Sequence, residues 1–183
     1  ANVDVGAKAR RNHVIAIDAD SFSFTGVKPV LGRGFNQQDV LEGAEQVAVI
    51  SYTMWQERFA RRADVIGEVL YVDGLRKKVV GVMPEGYEFP GTADLWLPVS
   101  IKYIKRDSGF TLAGVARLKE GVSIEAANQD VQRIMASLAA KYPETNYGTS
   151  AYVDTFQVQM ITPQMMPTVW ALLGVSALVL LLA

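Results

Sequence analysis

Residues 47–82 read VAVISYTMWQERFARRADVIGEVLYVDGLRKKVVGV, and this stretch decides the fold class. Val47 to Ile50 is an apolar run of strand length, and Ser51 stands where a helix N-cap belongs. Met54, Trp55 and Phe59 then fall near one helical face. Glu68 to Val72 and Lys77 to Val82 flank Asp73-Gly74, a pair that readily takes the positive φ angles of a tight hairpin turn. Along the chain strand, helix, strand occurs twice with this hairpin between, which predicts an α+β domain in two lobes.

Working outward, His13 to Ile17 is a short β-like run. Asp18, Asp20 and Ser21 cap a segment, Phe22 to Val27, whose aromatics are expected to pack inward. Downstream of the hairpin lies a proline- and glycine-rich loop, MPEGYEFPGTADLWLP. Its Tyr87, Phe89 and Trp96 are read as pins onto a core rather than a ligand platform. Thr111 to Leu118 is strand-like, and Ser123 starts a helix that Pro143 terminates at Tyr142. Ala127, Val131, Ile134, Met135 and Leu138 form its expected buried stripe. Thr149 to Met160 alternates loosely and predicts a strand.

The chain has 183 residues, half of them hydrophobic, which suits a folded core. Lys plus Arg total 18 against 19 for Asp plus Glu, so the balance offers no field for nucleic acid. The short basic stretches Arg58 to Arg62 and Arg76 to Lys78 read as solvated faces. Cysteine is absent, which excludes disulfides, thiolate catalysis and Cys-ligated zinc. Ala1 to Arg11 shows no signal-peptide pattern.

No reaction chemistry is legible. The chain offers one histidine, His13, with no paired-His spacing for a metal and no GxSxG elbow for a triad. Glu42/Glu45 and Glu85/Glu88 sit in turn-rich segments that water reaches, so they read as solvated loop charges. Gly32-Arg33-Gly34 lacks the third glycine of GxGxxG and the Lys-Ser/Thr of a P-loop. The expectation is a protein that is not an enzyme, with no catalytic, cofactor-binding or metal residues and no cofactor of its own.

The strongest compositional signal is at the end, where residues 167–183 read PTVWALLGVSALVLLLA without a charge. As a helix this stretch rises about 25 Å, just short of a hydrocarbon core of roughly 30 Å. A buried helix of a soluble domain normally keeps a polar stripe, and here only Thr168 and Ser176 are polar. The segment therefore predicts the start of a transmembrane helix. No Lys or Arg follows Tyr142, which places the folded part outside the cytoplasm. Trp170 suits the membrane interface, and Pro163 and Pro167 predict an elbow before the span.

A series of segments resembles a known family: VIAIDADSFSFTGVKPVLGRGF, VAVISYTMWQERF, DVIGEVLYVDG, VVGVMPEGYEFPGTADLWLPV and ARLKEGVSIEAA, in that order. Together they resemble the MacB-like periplasmic core domain of FtsX/MacB-type ABC transporter permeases. Leu31-Gly32-Arg33, Trp55 with Phe59, Gly81-Val82-Met83-Pro84 and Leu95-Trp96-Leu97-Pro98 are the best single markers.

The resemblance implies a two-lobed extracytoplasmic domain over residues 1–162, with porter-like βαβ units and a β-rich insertion at about 66–104. The elbow and truncated span occupy 163–183. The first membrane helix, the initial part of the domain and everything beyond the start of the second helix would then lie outside this chain. Residence in the bacterial inner membrane, with the domain on the periplasmic side, is likewise implied. So are a separate ABC ATPase domain or subunit that binds ATP, and a second permease copy in a homo- or heterodimer. A periplasmic adaptor and an outer-membrane channel are further partners the resemblance allows; nucleic acid is not.

The implied function is mechanotransmission: ATP hydrolysis in the cytoplasm moves the outer domain to export or extract substrate. The helix at Ser123 to Tyr142 and the strand at Thr149 to Met160 are expected to carry the coupling. The alternative is a ligand-sensing or binding module of a peptide- or antibiotic-responsive permease. Tyr87, Phe89 and Phe110, as exposed hydrophobics, would suit a cargo patch or a subunit interface equally.

Overall fold

The computed structural model describes residues 1–5, 8–100 and 113–156. The chain divides into two units, Ala1–Ile104 and Lys105–Ala183.

Among the described residues of the first unit, eight strands form one sheet. They are β1 (Asn2–Val5), β2 (Lys8–Arg11), β3 (Val14–Ile17), β4 (Leu31–Gly32), β5 (Val47–Ile50), β6 (Val69–Val72), β7 (Leu75–Val82) and β8 (Leu95–Pro98). The order is β2-β1-β6-β7-β5-β8-β3, with β4 paired to β7. Most pairs are antiparallel, but β3 runs parallel to β8 and β5 parallel to β7. The strands of residues 66–104 are thus continuous with β1, β3 and β5 in the same sheet.

All four residues of β5 are buried, at 1 % exposure or less. This explains the unbroken apolar run, because a central strand covered on both faces shows no alternation. Ala48 and Ile50 join one core cluster with Met54, Phe59, Val65, Leu70, Val79 and Leu95. Val47 and Val49 join the other, with Ile17, Phe22, Phe35, Val80, Met83 and Trp96.

The helix after β5, α2 (Tyr52–Phe59), starts as the sequence predicts, with the Met54 amide donating to Ser51 Oγ at 3.1 Å. It stops at Phe59 because Ala60 and Arg61 both turn left-handed, at φ 50° and 57°. The Trp55 indole N–H, donating to the Arg62 carbonyl at 2.8 Å, secures that end. The predicted hairpin forms between β6 and β7, with Asp73 at φ 47° and Gly74 at φ 79°. Before β4, the helix α1 (Ser21–Thr25) buries Phe22 in the core while Phe24 stays 37 % exposed. Only one of the two phenylalanines of that segment packs fully inward.

Three features depart from the sequence reading. The loop expected to run through Pro98 ends early, since Leu95–Pro98 is β8, held between β3 and β5. Parallel pairing to a strand about eighty residues away leaves no local signal. The β1–β2 hairpin at the start of the chain also escaped notice. It is tied in by Val3, fully buried in the core, and by the Asn2 amide donating to Asp73 Oδ1 at 2.8 Å. Finally, the described parts of the two later predicted strands, residues 113–118 and 149–156, form no strand. In the former, Val115 and Leu118 are exposed.

The second unit contains α3 (Ile124–Lys141) and α4 (Pro143–Asn146). The Ala126 amide donates to Ser123 Oγ at 3.2 Å, confirming the predicted N-cap. Pro143 ends α3 and opens α4 at its first turn, where its missing N–H costs nothing. No residue of α3 is fully buried. Ala127, Val131, Met135 and Leu138 are half-buried, and Ile134 is 47 % exposed. The stripe follows the predicted spacing, but it is half-covered rather than a core.

No helix among the described residues is long and apolar enough to cross a membrane. The predicted elbow and span, residues 163–183, lie outside the described residues, as do Phe110 and 157–160.

Candidate functional site

The aromatic residues of the glycine- and proline-rich loop are structural pins. Trp96 is fully buried, its indole N–H donating to the Phe89 carbonyl at 3.1 Å. The Tyr87 and Trp96 rings meet edge-on at 5.4 Å, and Phe22 packs against both. Burial raises the Tyr87 phenol above its ordinary pKa, outweighing its contact with the Thr25 hydroxyl. Phe89 lies half-buried with its ring 6.0 Å from that of Phe24.

The loop is anchored by Asp94. Its carboxylate accepts from the His13 amide at 2.8 Å and the Asn12 side chain at 3.0 Å. Its backbone bonds the His13 carbonyl and the Ser51 amide. His13 itself is exposed, with Nδ1 against the Thr92 carbonyl, and so acts as a fastener of this loop.

Gly32-Arg33-Gly34 is a packing device. The Arg33 amide donates to the Val80 carbonyl at 2.8 Å, and the Arg33 guanidinium makes a two-pronged bond to Asp39 at 2.6 and 2.9 Å. Asp39 also accepts from the Asn36 amide at 2.8 Å, closing a capping box over the 3-10 turn Gln37–Val40. Burial pushes the Asp39 carboxyl up, but the Arg33 hydrogen bond, the Asn36 amide and the Arg33 charge together bring it below the usual range. The Asp39 hydrogen bond is what raises Arg33 above its own.

The carboxylates of both predicted pairs are exposed. Glu45 bonds Lys78 at 3.1 Å, while Glu42, Glu85 and Glu88 are exposed on loops. Among the described residues no three His, Cys, Asp or Glu side chains cluster to hold a metal.

In the second unit, two side chains of α3 bond residues 151–153. The Asn128 side chain donates to the Val153 carbonyl at 2.8 Å and accepts from the Val153 amide at 2.6 Å. One turn further, Gln132 Nε2 donates to the Ala151 carbonyl at 2.5 Å. The described part of the expected strand is thus bonded by helix side chains. Asn128 and Gln132 escaped the sequence reading, which followed only the apolar stripe. The available signal was an amide at Asn128 intruding on the spacing of Ile124, Val131 and Met135.

Comparison with known proteins places these features in context. The family described as MacB-like periplasmic core domain matches residues 2–134. The macrolide export ATP-binding/permease protein MacB of Shigella dysenteriae serotype 1 (strain Sd197) is 28 % identical over 177 residues, covering 94 % of this chain and 26 % of that protein. The protein of the same name from Escherichia coli (strain K12) matches with the same identity and coverage. The chain therefore spans about a quarter of the length of these curated relatives. The crystal structure of the periplasmic region of MacB from Actinobacillus actinomycetemcomitans superimposes with a TM-score of 0.58 at 19 % identity. It covers 79 % of this chain and 64 % of that one, a likeness of fold alone.

Proposed function

The chain belongs to the MacB-like periplasmic core domain family, and from that premise we propose that it is the extracytoplasmic moving part of an ABC transporter permease. A periplasmic core domain of this family is not an enzyme. In this reading ATP is hydrolysed by a separate ATPase domain or subunit, and the resulting motion of a permease dimer reaches the outer domain through its helices. Substrate is exported or extracted without a reactive site. A periplasmic adaptor and an outer-membrane channel would complete the route, and residues 163–183 would form the elbow and the start of the span in the inner membrane.

The observation that carries the proposal is the family match over residues 2–134, supported by the likeness of fold to a MacB periplasmic region. The curated relatives are named for macrolide export, which favours an export role over a purely sensory one. Within the chain, α3 supports a mechanical role: its 18 residues form a rod of about 27 Å, bonded to the segment that heads for the apolar terminus.

The test is site-specific crosslinking of the full-length permease in membranes, with single cysteines introduced near Ser123 and Thr149. Native cysteine is absent from this stretch, so only cysteines elsewhere in the full-length permease have to be replaced first. Crosslinking between two copies that changes between nucleotide-free and ATP-trapped states is the expected result. Crosslinking that ignores ATP but responds to an added peptide or antibiotic would replace transport with ligand sensing.

A further inference from the structure

Asn128 and Gln132 lie four residues apart on α3 and engage Val153 and Ala151, two residues apart on the outgoing segment. Four helical residues rise about 6 Å. Two extended residues advance about 6.5 Å. The two periods therefore match, and the pairing runs antiparallel, with the later helical residue meeting the earlier segment residue.

The segment's burial agrees with this alignment. Ala151, Val153 and Thr155 are half-buried, while Tyr152 and Asp154 are exposed, the alternation of an extended chain laid along a helix. Next in the series, Ile124 falls opposite Thr155, and both are half-buried.

An asparagine amide both donates and accepts, so Asn128 supplies Val153 with the two bonds that a neighbouring strand would otherwise provide. Such a pair is directional in a way that an apolar seam is not. A slip of one residue would bring Tyr152 opposite Asn128 and turn Val153 outward, so the two amides also set the register.

We propose that Asn128 and Gln132 are positioning residues that latch residues 151–153 onto α3, so that the helix and the outgoing chain move as one strut. The inference deepens the mechanical reading above and rests on it. Without the latch, motion of the apolar terminus would be absorbed by slack between Asn146 and Val153 rather than delivered to α3.

The test uses the full-length permease with its ATPase in membranes. Asn128→Leu removes both bonds, whereas Asn128→Asp keeps the shape but turns an acceptor toward the Val153 carbonyl. In Asn128→Leu the peptide containing Val153 is expected to exchange its amide hydrogens at least about tenfold faster, whereas Asn128→Asp, which keeps an acceptor for the Val153 amide, is expected to change the exchange less. ATPase activity is expected to stay within about twofold of wild type. The ATP-dependent change in crosslinking at Thr149 is expected to be lost, then restored when Asn128→Cys and Val153→Cys are joined by a short bismaleimide.

Unchanged exchange at Val153 in Asn128→Leu would overturn the latch. Faster exchange with an intact crosslinking response would overturn its role while leaving the mechanical reading in place. A wild-type permease with no ATP response would remove the mechanical reading itself, and with it the strut.

Discussion

Gly32 and Gly81 face each other's backbone where β4 crosses β7. A methyl group on Gly32 would overlap the Val80 carbonyl oxygen, and one on Gly81 would overlap the Arg33 carbonyl oxygen. The two glycines pair directly in the register, and the Val30 and Arg33 amides bond Val82 and Val80 on either side. Both glycines belong to the segments that best mark the family resemblance, and the contact gives that marking a physical reason: only hydrogen fits.

Replacing Gly81 by Ala is accordingly expected to destabilise the fold by about 1–3 kcal/mol, because the obstructing atoms are backbone and cannot rotate away. Gly32→Ala is expected to cost at least as much, since Gly32 is also left-handed at φ 68°. Urea unfolding followed by tryptophan fluorescence measures both. A Gly81→Ala variant as stable as wild type would show that the β4–β7 crossing yields easily.

Ala60 presents the converse case, a left-handed residue that carries a side chain. Its φ of 50° terminates α2, and glycine holds this conformation without the steric cost. Ala60→Gly is expected to stabilise the chain by about 0.5–1 kcal/mol after the extra flexibility of the unfolded state is counted. A lowered Tm in a thermal melt would contradict this.

Asp39 should give the stability an acid limb. Its folded carboxyl titrates below 3.8, so the unfolded chain binds more protons as pH falls through that region. The stability from Asp39 is complete above its unfolded pKa and is lost as pH drops through the lower folded value. Asp39→Asn removes the charged prongs to Arg33, and at pH 7 is expected to cost about 1–2 kcal/mol. Stability curves of variant and wild type should converge below pH 4, and parallel curves would refute the assignment.

Lys77 gives a rise of the same sign at the alkaline end, but because burial penalises its charge. Only 8 % exposed, it bonds Gln46 Oε1 at 2.6 Å, and burial lowers its pKa from 10.5. Here the unfolded chain holds the extra proton, so stability rises with pH between the folded value and the ordinary one. Lys77→Met is expected to stabilise the protein at pH 7 by about 0.5–1 kcal/mol and to abolish that alkaline rise. Denaturation at pH 7 and pH 10 decides it.

Local chemistry was readable without coordinates wherever neighbours in sequence are also neighbours in space. Ser51 and Ser123 as N-caps, Asp73-Gly74 as a hairpin turn, Val47 to Ile50 as a buried strand and the stop at Pro143 each depend on a few adjacent residues. The ordered motifs likewise carried the family resemblance. The alternation in residues 149–155 was real but misleading, because period two reports an extended chain with one covered face and cannot say whether a strand or a helix covers it.

What only the tertiary structure decided are the pairings between distant residues. Leu95 to Pro98 became a strand because β3 and β5 lay on either side of it, and Gly32 needed Gly81. Asn128 found Val153 across 25 residues of chain. Propensity and capping act over one turn or less, whereas these contacts exist only after the core has brought the elements together. Their energies are set by fit, which no single segment encodes.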